Sequence, residues 1–536
     1  MLKKNLLLGD EALALGALHT GLTGVYAYPG TPSTEITEFI QQHPLTRERS
    51  IHCQWSSNEK TAMESALGTS YAGKRALVCM KHVGMNVAAD AFMGAAVTGA
   101  NGGLVVTACD DPSMHSSQNE QDSRFYAQFA MVPCYEPSNQ QDTYDMVRDA
   151  FDLSERCHIP VLMRLTTRMA HSRAVVTAGE VREQNGMSYP ENPRQWVTLP
   201  ANSIARGKQQ VKDILDYEEL SCTSGHNVLT WGADHSLGII ACGIGYNYLM
   251  ENFPNGCPYP VLKVTQYPFP RRLARELAEQ CKTILVIEEG QPLVEPQMIG
   301  VLPTGITIRG RLDGTLPRTG ELSPDTVRAA LGMEPHDTYA ASQVTVPRPP
   351  ALCQGCGHRD FYTALNNVVR SDDYKDKARV FGDIGCYTLG WLAPFHAIHS
   401  CVEMGASITM ALGAAQAGVW PAIAVIGDST FTHSGMTGLL DAINLNADIT
   451  VCISDNLTTG MTGGQDSAGT GRLEQICLGL GLDPKHLRVI VPLPKNYPEM
   501  EQTIREETEY HGTSVIIARR ECIQTARRHA MAKNKK

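Results

Sequence analysis

Short apolar runs alternate with longer stretches at helical spacing along almost the whole chain. RALVCM at 75–80, PVLMRL at 160–165 and PAIAVIGD at 421–428 are typical short runs, and AFMGAAVTGA at 91–100 is a longer stretch. A strand buried on both faces of a sheet gives a continuous apolar run, and a helix usually connects it to the next parallel strand. The pattern therefore predicts an α/β fold with parallel sheets covered by helices.

Two polar stretches interrupt this alternation and indicate domain borders. They are REQNGMSYPENPRQW at 182–196 and TYAASQVTVPRPPALC at 338–353. With about 100–200 residues per domain, a chain of 536 residues is expected to hold three domains. We expect a first α/β domain at 1–195, a linker at 196–224, a smaller α/β domain at 225–345 and a third domain at 346–536.

Charge and hydropathy argue against nucleic acid and membrane as partners. The formal net charge is −10, which repels phosphate backbones. No apolar run approaches the ~18 residues that a membrane span requires. Asp10 and Glu11 interrupt the first leucine-rich stretch, where a signal peptide would be continuously apolar. We therefore expect a cytoplasmic protein.

The sixteen cysteines are expected to remain thiols in that compartment. Four of them lie within apolar, β-branched runs and are expected to be buried in strands, as small hydrophobic residues. These are Cys79, Cys109, Cys242 and Cys452.

Oxygen-bearing side chains follow two predicted strands in the last third of the chain. AVIGDST ends a strand with Gly427, Asp428 and Ser429, and ITVCISDN ends the next one with Asp455 and Asn456. Ligands of open α/β sheets bind at the carboxyl ends of the strands. Glycine permits close approach of a diphosphate, and oxygen ligands suit Mg²⁺. The sequence therefore predicts a diphosphate and magnesium site.

The spacing of these residues resembles the thiamine diphosphate-binding motif, which begins Gly-Asp-Gly and ends in Asn. By this resemblance Asp428, the side-chain oxygen of Asn456 and the carbonyl oxygen of Thr458 bind Mg²⁺. Ser429 stands where the motif usually has its third residue, glycine.

The cofactor also requires a carboxyl group that shares a proton with its aminopyrimidine ring. Burial keeps such a group protonated near neutral pH. Around Glu59, in WSSNEKTAMESALG, the chain resembles the pyrimidine-binding domain of 2-oxoacid:ferredoxin oxidoreductases, and Glu59 aligns with their catalytic glutamate. Glu64, one helical turn further, is the alternative.

Longer strings carry the same resemblance, most closely to alpha subunits of the indolepyruvate branch of this family. YPGTPSTEI, from Tyr28, is similar to the substrate-side loop, which implies that Thr31 contacts the keto acid. His82, just after a predicted strand, is expected to face the cofactor. His115 and His171 are left open between structural and site roles.

The resemblance also implies an activity and partners. The activity is oxidative decarboxylation of an arylpyruvate to an acyl-CoA, and the partners are coenzyme A, a beta subunit, and ferredoxin or another electron carrier. The domains at 1–195, 225–345 and 346–536 would be the pyrimidine-binding, the transketolase C-terminal-like and the diphosphate-binding domain.

The stretch CQGCGHRD places Cys353 and Cys356 in a C-x-x-C pair. In related oxidoreductases one [4Fe–4S] cluster is held by such a pair, by a cysteine in a GIGC-like turn and by a cysteine after the last strand. The resemblance implies Cys353, Cys356, Cys386 and Cys522 as its ligands. Four thiolates also suit a tetrahedral zinc ion, and a site without metal is the third alternative.

Alpha subunits of this family usually continue into a ferredoxin-like tail with eight clustered cysteines. No cysteine follows Cys522 in this sequence. We therefore expect electrons to leave through another subunit or a soluble carrier.

Two other functions stay open on the sequence alone. A non-oxidative thiamine diphosphate-dependent decarboxylase or carboligase would share Glu59, Asp428 and Asn456 and would not need four convergent cysteines. A non-catalytic assembly subunit would keep the fold without binding the cofactor.

Overall fold

The apolar runs of the sequence form the strands of the structure, which confirms the predicted α/β class. The computed structural model describes residues 3–189, 193–298, 305–336 and 342–533. The chain divides into two units, Met1–Tyr339 and Ala340–Lys536.

The first unit contains fourteen strands among its described residues. They are β1 (Lys3–Leu8), β2 (Gly24–Ala27), β3 (His52–Trp55), β4 (Ala76–Lys81), β5 (Leu104–Asp110), β6 (Cys134–Tyr135), β7 (Val161–Thr166), β8 (Arg173–Ala178), β9 (Val228–Thr230), β10 (Gly238–Cys242), β11 (Val261–Val264), β12 (Gln266–Tyr267), β13 (Thr283–Ile287) and β14 (Thr307–Arg309).

Helices connect these strands. They are α1 (Gly9–His19), α2 (Thr34–Gln42), α3 (Pro44–Glu48), α4 (Glu59–Tyr71), α5 (His82–Thr98), α6 (Arg124–Ala130), α7 (Gln140–Cys157), α8 (Thr167–His171), α9 (Pro200–Thr223), α10 (Ile244–Glu251), α11 (Arg271–Gln280), α12 (Val294–Met298) and α13 (Pro324–Ala330).

A seven-stranded sheet forms the centre of this unit, with the order β12-β6-β7-β5-β4-β2-β3. All neighbouring strands are parallel except β12, which runs antiparallel to β6. Along β4, Val78 and Met80 pack into one apolar core, whereas Leu77 and Cys79 pack into another. The sheet is therefore covered on both faces, which is why its strands give continuous apolar runs.

The same unit contains two further sheets. One has the order β14-β13-β10-β11-β9, in which β9 alone is antiparallel to its neighbour. The other is an antiparallel pair of β1 and β8. Strand β12 lies inside the region expected at 225–345, yet it pairs with β6 of the seven-stranded sheet. The domain borders expected from the sequence stay a proposal.

The stretch expected to be a linker, 196–224, contains the 24-residue helix α9. Its residues Gln210, Tyr217 and Ser221 are buried and lie at helical spacing. The Gln210 amide donates to the carbonyl oxygen of Ala96 in α5, over 3.0 Å. This stretch is therefore a helix that packs against α5, and its role as a linker stays a prediction, like the domain borders.

Buried charges join the seven-stranded sheet to the loop after β13. Arg164 Nε donates to Asp110 Oδ2 at 2.6 Å, and an Arg124 guanidinium nitrogen lies 3.2 Å from Glu288 Oε2. Both arginines are fully buried. Removing one partner of such a pair would leave an uncompensated buried charge, which is costly. The network therefore holds the carboxyl ends of β5 and β7 together.

Among its described residues, the second unit has one six-stranded parallel sheet, with the order β16-β15-β17-β18-β20-β19. Its strands are β15 (Arg379–Gly382), β16 (Ser400–Cys401), β17 (Ala422–Gly427), β18 (Ile449–Asp455), β19 (Leu487–Ile490) and β20 (Thr513–Arg519). Its helices are α14 (Gly357–Val369), α15 (Ala406–Gln416), α16 (Asp428–Thr430), α17 (Met436–Asn444), α18 (Leu473–Gly479), α19 (Tyr497–Glu509) and α20 (Ile523–Lys533).

The centre of this sheet is buried on both faces. Ile423 and Val425 of β17 pack into one core, and Ala424 and Ile426 pack into the other. Strands β17 and β18 are buried along their whole length.

The four cysteines expected in strands, Cys79, Cys109, Cys242 and Cys452, are all buried, so that prediction is confirmed. No helix in the described ranges is both long and apolar enough to cross a membrane.

Candidate active site

Glu59 lies at the start of helix α4 in the first unit. Asn58 caps this helix, because its side chain accepts a hydrogen bond from the Thr61 backbone N–H at 2.9 Å. Glu59 is 6% exposed. A β-carbon added to Gly84 of α5 would lie 2.7 Å from Glu59 Oε1. The missing side chain at Gly84 thus makes room for the glutamate, and the carboxyl group packs against the first turn of α5.

Burial separates Glu59 from Glu64, the alternative. The Glu64 side chain is 46% exposed and forms an ion pair with Lys60 on the helix surface. This carboxylate therefore faces solvent and does not point into the interior of the unit. Glu59 is therefore the residue whose surroundings fit the aminopyrimidine partner.

His82 and Thr31 lie just beyond the carboxyl ends of β4 and β2. His82 Nε2 is 3.2 Å from the carbonyl oxygen of Asn119. Because a carbonyl oxygen only accepts, Nε2 carries the hydrogen of this bond. Nδ1 has no hydrogen-bond partner among the described residues. Burial lowers the pKa of His82, so the ring is neutral.

The loop after β5 reaches the loop that carries Thr31. The Ser116 hydroxyl donates to the carbonyl oxygen of Thr31 at 3.5 Å. Asp111 anchors this second loop by accepting from the Ser116 backbone N–H at 2.8 Å and from the Ser117 hydroxyl at 2.6 Å. The structure therefore brings the loops after β2, β4 and β5 together at one edge of the sheet.

Lys81 is a charged group at this edge that sequence reasoning missed. Its ammonium group donates to the carbonyl oxygen of Ser116 at 2.8 Å. Burial lowers the pKa of Lys81 to about 8, although the nearby carboxyl groups of Asp111 and Glu59 oppose the shift. The sequence feature that could have identified it is a lysine at the end of a buried apolar strand. Ligands of α/β sheets bind at that end of the strands.

Asp428 and Asn456 end neighbouring strands in the second unit. Gly427 of β17 pairs with Ser454 of β18, so Asp428 lies beside Asp455 at the carboxyl edge, and Asn456 is the next residue. Asn456 Oδ1 accepts from the Thr458 backbone N–H at 3.1 Å, which fixes the start of the next loop.

The surroundings of Asp428 fit a bound cation. It is 2% exposed, and its Oδ2 accepts no hydrogen bond from any described residue. Burial, followed by the negative charge of Asp455, raises the pKa of Asp428 to about 7. A buried carboxylate oxygen without a donor is costly unless a cation coordinates it. The donor set of Asp428 and Asn456 is all oxygen, as Mg²⁺ prefers.

Ser429, which stands in place of the usual glycine, interacts with the loop that follows β18. Its hydroxyl lies 3.0 Å from the hydroxyl of Thr459, at hydrogen-bond distance. The serine therefore ties the end of β17 to that loop.

Four cysteines line one cavity of about 90 Å³ in the second unit, and Asn456 lines it as well. The cysteines are Cys353, Cys356, Cys386 and Cys522. The Cys522 backbone N–H donates to the carbonyl oxygen of Asn456 at 3.0 Å. Burial raises the pKa of Cys386 to about 12, and the other three thiols add to the shift. All four sequence-predicted thiols thus converge.

The spacing of these thiols bears on the choice between zinc and a larger group. Around one tetrahedral zinc ion, sulfur ligands lie about 3.8 Å apart, given Zn–S bonds of about 2.3 Å. Within the described part of the chain, no three of these thiols lie within 4.8 Å of one another. The four thiols are therefore spaced more widely than the ligands of one tetrahedral zinc ion.

Asp383 is a second buried group that sequence reasoning missed. It follows β15, and its Oδ2 accepts from the Ser407 hydroxyl at 2.7 Å and from the Gly405 backbone N–H at 3.1 Å. Burial raises the pKa of Asp383 to about 6. These bonds tie the turn that carries Cys386 to the start of α15. The sequence feature that could have identified it is the aspartate in GDIGC, three residues before the predicted ligand Cys386.

Two family models match the chain. Residues 15–219 match "Pyruvate flavodoxin/ferredoxin oxidoreductase, thiamine diP-bdg", and residues 383–517 match "Thiamine pyrophosphate enzyme, C-terminal TPP binding domain". A curated relative from Archaeoglobus fulgidus, "Indolepyruvate oxidoreductase subunit IorA", is 38% identical over 97% of this chain and 86% of its own length. The chain belongs to the thiamine diphosphate-dependent 2-oxoacid:ferredoxin oxidoreductase family.

Other members of this family give the same result. The subunit of the same name from Methanothermobacter marburgensis is 37% identical over 96% of this chain and 86% of its own length. The one from Pyrococcus abyssi is 36% identical over 96% of this chain and 85% of its own length. The protein is thus an oxidative enzyme subunit, and the non-oxidative decarboxylase or carboligase is not favoured.

A solved 2-oxoglutarate:ferredoxin oxidoreductase from Magnetococcus marinus superposes with a TM-score of 0.49 and 14% identity, over 61% of this chain and 65% of that one.

Proposed function

We propose that this protein is the catalytic alpha subunit of a ferredoxin oxidoreductase for indolepyruvate or a related arylpyruvate. The observation that carries the proposal is the cavity in which four thiols and Asn456 share one lining. A non-oxidative enzyme has no use for four thiols beside a ligand of the diphosphate-bound metal. The substrate class rests on the names of the relatives.

The proposed reaction balances as an oxidative decarboxylation. One arylpyruvate and one coenzyme A give one acyl-CoA, carbon dioxide, a proton and two electrons. Ferredoxin or another one-electron carrier accepts the electrons, and a beta subunit is the partner within the complex. Bound thiamine diphosphate would supply the nucleophilic carbon and the electron sink for this reaction.

Glu59 is the residue proposed to hold the proton that activates the aminopyrimidine. Its burial against Gly84 keeps the carboxyl group away from water. Asp428, the side-chain oxygen of Asn456 and the carbonyl oxygen of Thr458 are proposed to bind Mg²⁺ on the diphosphate. Gly427 belongs to the same cofactor-binding turn, and Ser429 holds that turn to the following loop.

Thr31 and His82 are proposed to contact the keto acid and the cofactor. The buried, neutral ring of His82 donates one hydrogen bond to a backbone carbonyl, which fixes its orientation. Thr31 is held by Ser116 from the neighbouring loop.

Cys353, Cys356, Cys386 and Cys522 are proposed to hold one [4Fe–4S] cluster, which would carry single electrons towards the external acceptor. The protein is further proposed to act in the cytoplasm, where reduced thiols persist. All sixteen cysteines are free of disulfides.

Iron analysis of the anaerobically purified full chain tests the proposal. We expect about four irons with matching sulfide, as one cubane requires. Cys386→Ala should lose most of the iron and the arylpyruvate- and coenzyme A-dependent reduction of a one-electron dye, while keeping thiamine diphosphate binding. The matched control is Cys452→Ala, a buried cysteine within β18, which should keep its iron.

Two results would contradict the proposal. Stoichiometric zinc without sulfide would support the non-oxidative alternative. A chain that binds no thiamine diphosphate would be an assembly subunit.

A further inference from the structure

Three side chains with metal-ligating groups meet in the first unit, and the proposed reaction uses none of them. Asp10 is the second residue of α1, Glu35 is the second residue of α2, and His171 is the last residue of α8. One ligand atom from each lies within 4.8 Å of the other two. Among the described residues, no other group of three histidines, cysteines or acidic residues is so close.

Asp10 points to a ligand at this position. It is 0% exposed, and neither of its carboxylate oxygens accepts a hydrogen bond from a described residue. The charged side chain with the largest effect on it, Glu35, is itself acidic and supplies no positive charge to balance it. A carboxyl group buried in this way is costly unless a cation compensates it.

The other two ligands are already spaced for a common ion. His171 Nε2 lies 3.5 Å from Glu35 Oε2. Two ligand atoms bound tetrahedrally to one ion at about 2.1 Å are about 3.4 Å apart. The start of α1 is held against α8, because a β-carbon at Gly9 would collide with the carbonyl group of Met169. Backbone packing therefore presents Asp10 towards the end of α8.

We propose that Asp10, Glu35 and His171 bind one divalent first-row transition-metal cation, with water completing its coordination. One imidazole nitrogen and two carboxylates suit Mn²⁺, Fe²⁺ or Zn²⁺ better than the all-oxygen preference of Mg²⁺. Two carboxylates also neutralise the charge of a divalent ion.

The ion would link three helices of one unit. It would join the start of α1 and the end of α8 to the first turn of α2. Glu35 follows Thr31 by four residues, so the same ion would restrain the loop that carries Thr31. This role is structural, and it holds independently of the keto acid that the enzyme uses.

Manganese binding to the full chain tests the site. Mn²⁺ prefers carboxylate and imidazole to thiolate, and its free form is measured by electron paramagnetic resonance. All proteins should carry Asp428→Ala and should be free of thiamine diphosphate, which removes the other oxygen site. We expect one bound Mn²⁺ per chain. Asp10→Asn and His171→Ala should each weaken its binding at least about tenfold.

Glu11→Gln is the matched control on the same helical turn. Glu11 Oε2 accepts from the Leu8 backbone N–H at 2.8 Å, outside the proposed ligand set. This variant should bind Mn²⁺ like its parent, and Mn²⁺ should raise the melting temperature of both and not that of Asp10→Asn. The proposal would be overturned if the parent bound no Mn²⁺. It would also be overturned if Asp10→Asn and His171→Ala bound Mn²⁺ as tightly as the parent. Neither result would change the iron content or the dye reduction that test the proposed function, so the two proposals fail independently.

Discussion

At the scale of single residues, burial and pairing distinguish groups of the same chemistry. Asp428 and Asp455 lie at the ends of neighbouring strands, yet Asp455 Oδ2 accepts from Arg519 Nε at 2.6 Å. Asp428 Oδ2 has no such donor among the described residues. The paired aspartate supports the sheet edge, and the unpaired one remains available to a cation.

The first prediction concerns the two glutamates of α4. Glu59→Gln should keep the fold and thiamine diphosphate binding but lower kcat at least about 100-fold, because an amide cannot exchange the required proton. Glu64→Gln, on the exposed side of the same helix, should change kcat less than about twofold. Steady-state kinetics and calorimetric cofactor binding provide the two readouts. Normal turnover in Glu59→Gln would remove this residue from the mechanism.

The second prediction concerns the pH dependence of Mg²⁺ binding with thiamine diphosphate. Because the pKa of Asp428 is raised to about 7, the folded protein holds this proton at pH values where the unfolded chain has lost it. The stability that the neutral acid contributes therefore falls as pH rises from about 4 to about 7. Mg²⁺ needs the ionised carboxylate, so its affinity should rise over the same range and level off above it.

Calorimetry in buffers of different ionisation enthalpy measures this effect. At pH 6 the binding of Mg²⁺ should release nearly one proton more than at pH 8. Asp428→Asn should bind Mg²⁺ weakly at both pH values and should abolish the difference. Equal proton release at both pH values in the unmodified protein would show that Asp428 is not the group that titrates.

At the scale of elements, the contact between α4 and α5 positions Glu59. Helix α5 contains Gly84 at its first turn and Gly94 near its end, and only the first faces another element. A β-carbon at Gly84 would lie 2.7 Å from Glu59 Cγ, whereas one at Gly94 would meet nothing within 4 Å. The two glycines therefore have different roles in one helix.

The third prediction compares alanine at these two positions. Gly94→Ala should stabilise the protein by about 0.5–1 kcal/mol, the usual difference between glycine and alanine inside a helix, and leave kcat unchanged. Gly84→Ala should push Glu59 away, which lowers kcat at least about tenfold and cancels the gain in stability. Thermal unfolding and steady-state kinetics distinguish the two. Unchanged turnover in Gly84→Ala would show that Glu59 tolerates displacement.

At the scale of the whole molecule, each unit places its proposed site residues in the same way. Buried parallel strands end at one edge of a sheet, and polar residues follow within four positions. Thr31 and His82 do so in the first unit, and Asp428 and Asn456 do so in the second. A parallel sheet produces this arrangement because all its strands point their carboxyl ends to the same side.

The sequence by itself determined the parallel sheets and the residues that end their strands. A strand buried on both faces must be apolar along its length, so the pattern of β4, β17 and β18 is visible without a structure. The same reasoning located Asp428 and Asn456, because local order fixes which residue follows a strand. The strongly buried cysteines were predictable for the same reason.

Only the tertiary structure decided which of several similar side chains are buried and which distant ones meet. Glu59 and Glu64 differ through contact with α5, and the burial of Lys81 depends on the loop after β5. Asp10, Glu35 and His171 come from three helices that are far apart in sequence. Their convergence depends on how those helices pack, and packing depends on the summed contacts of many side chains, which no local pattern records.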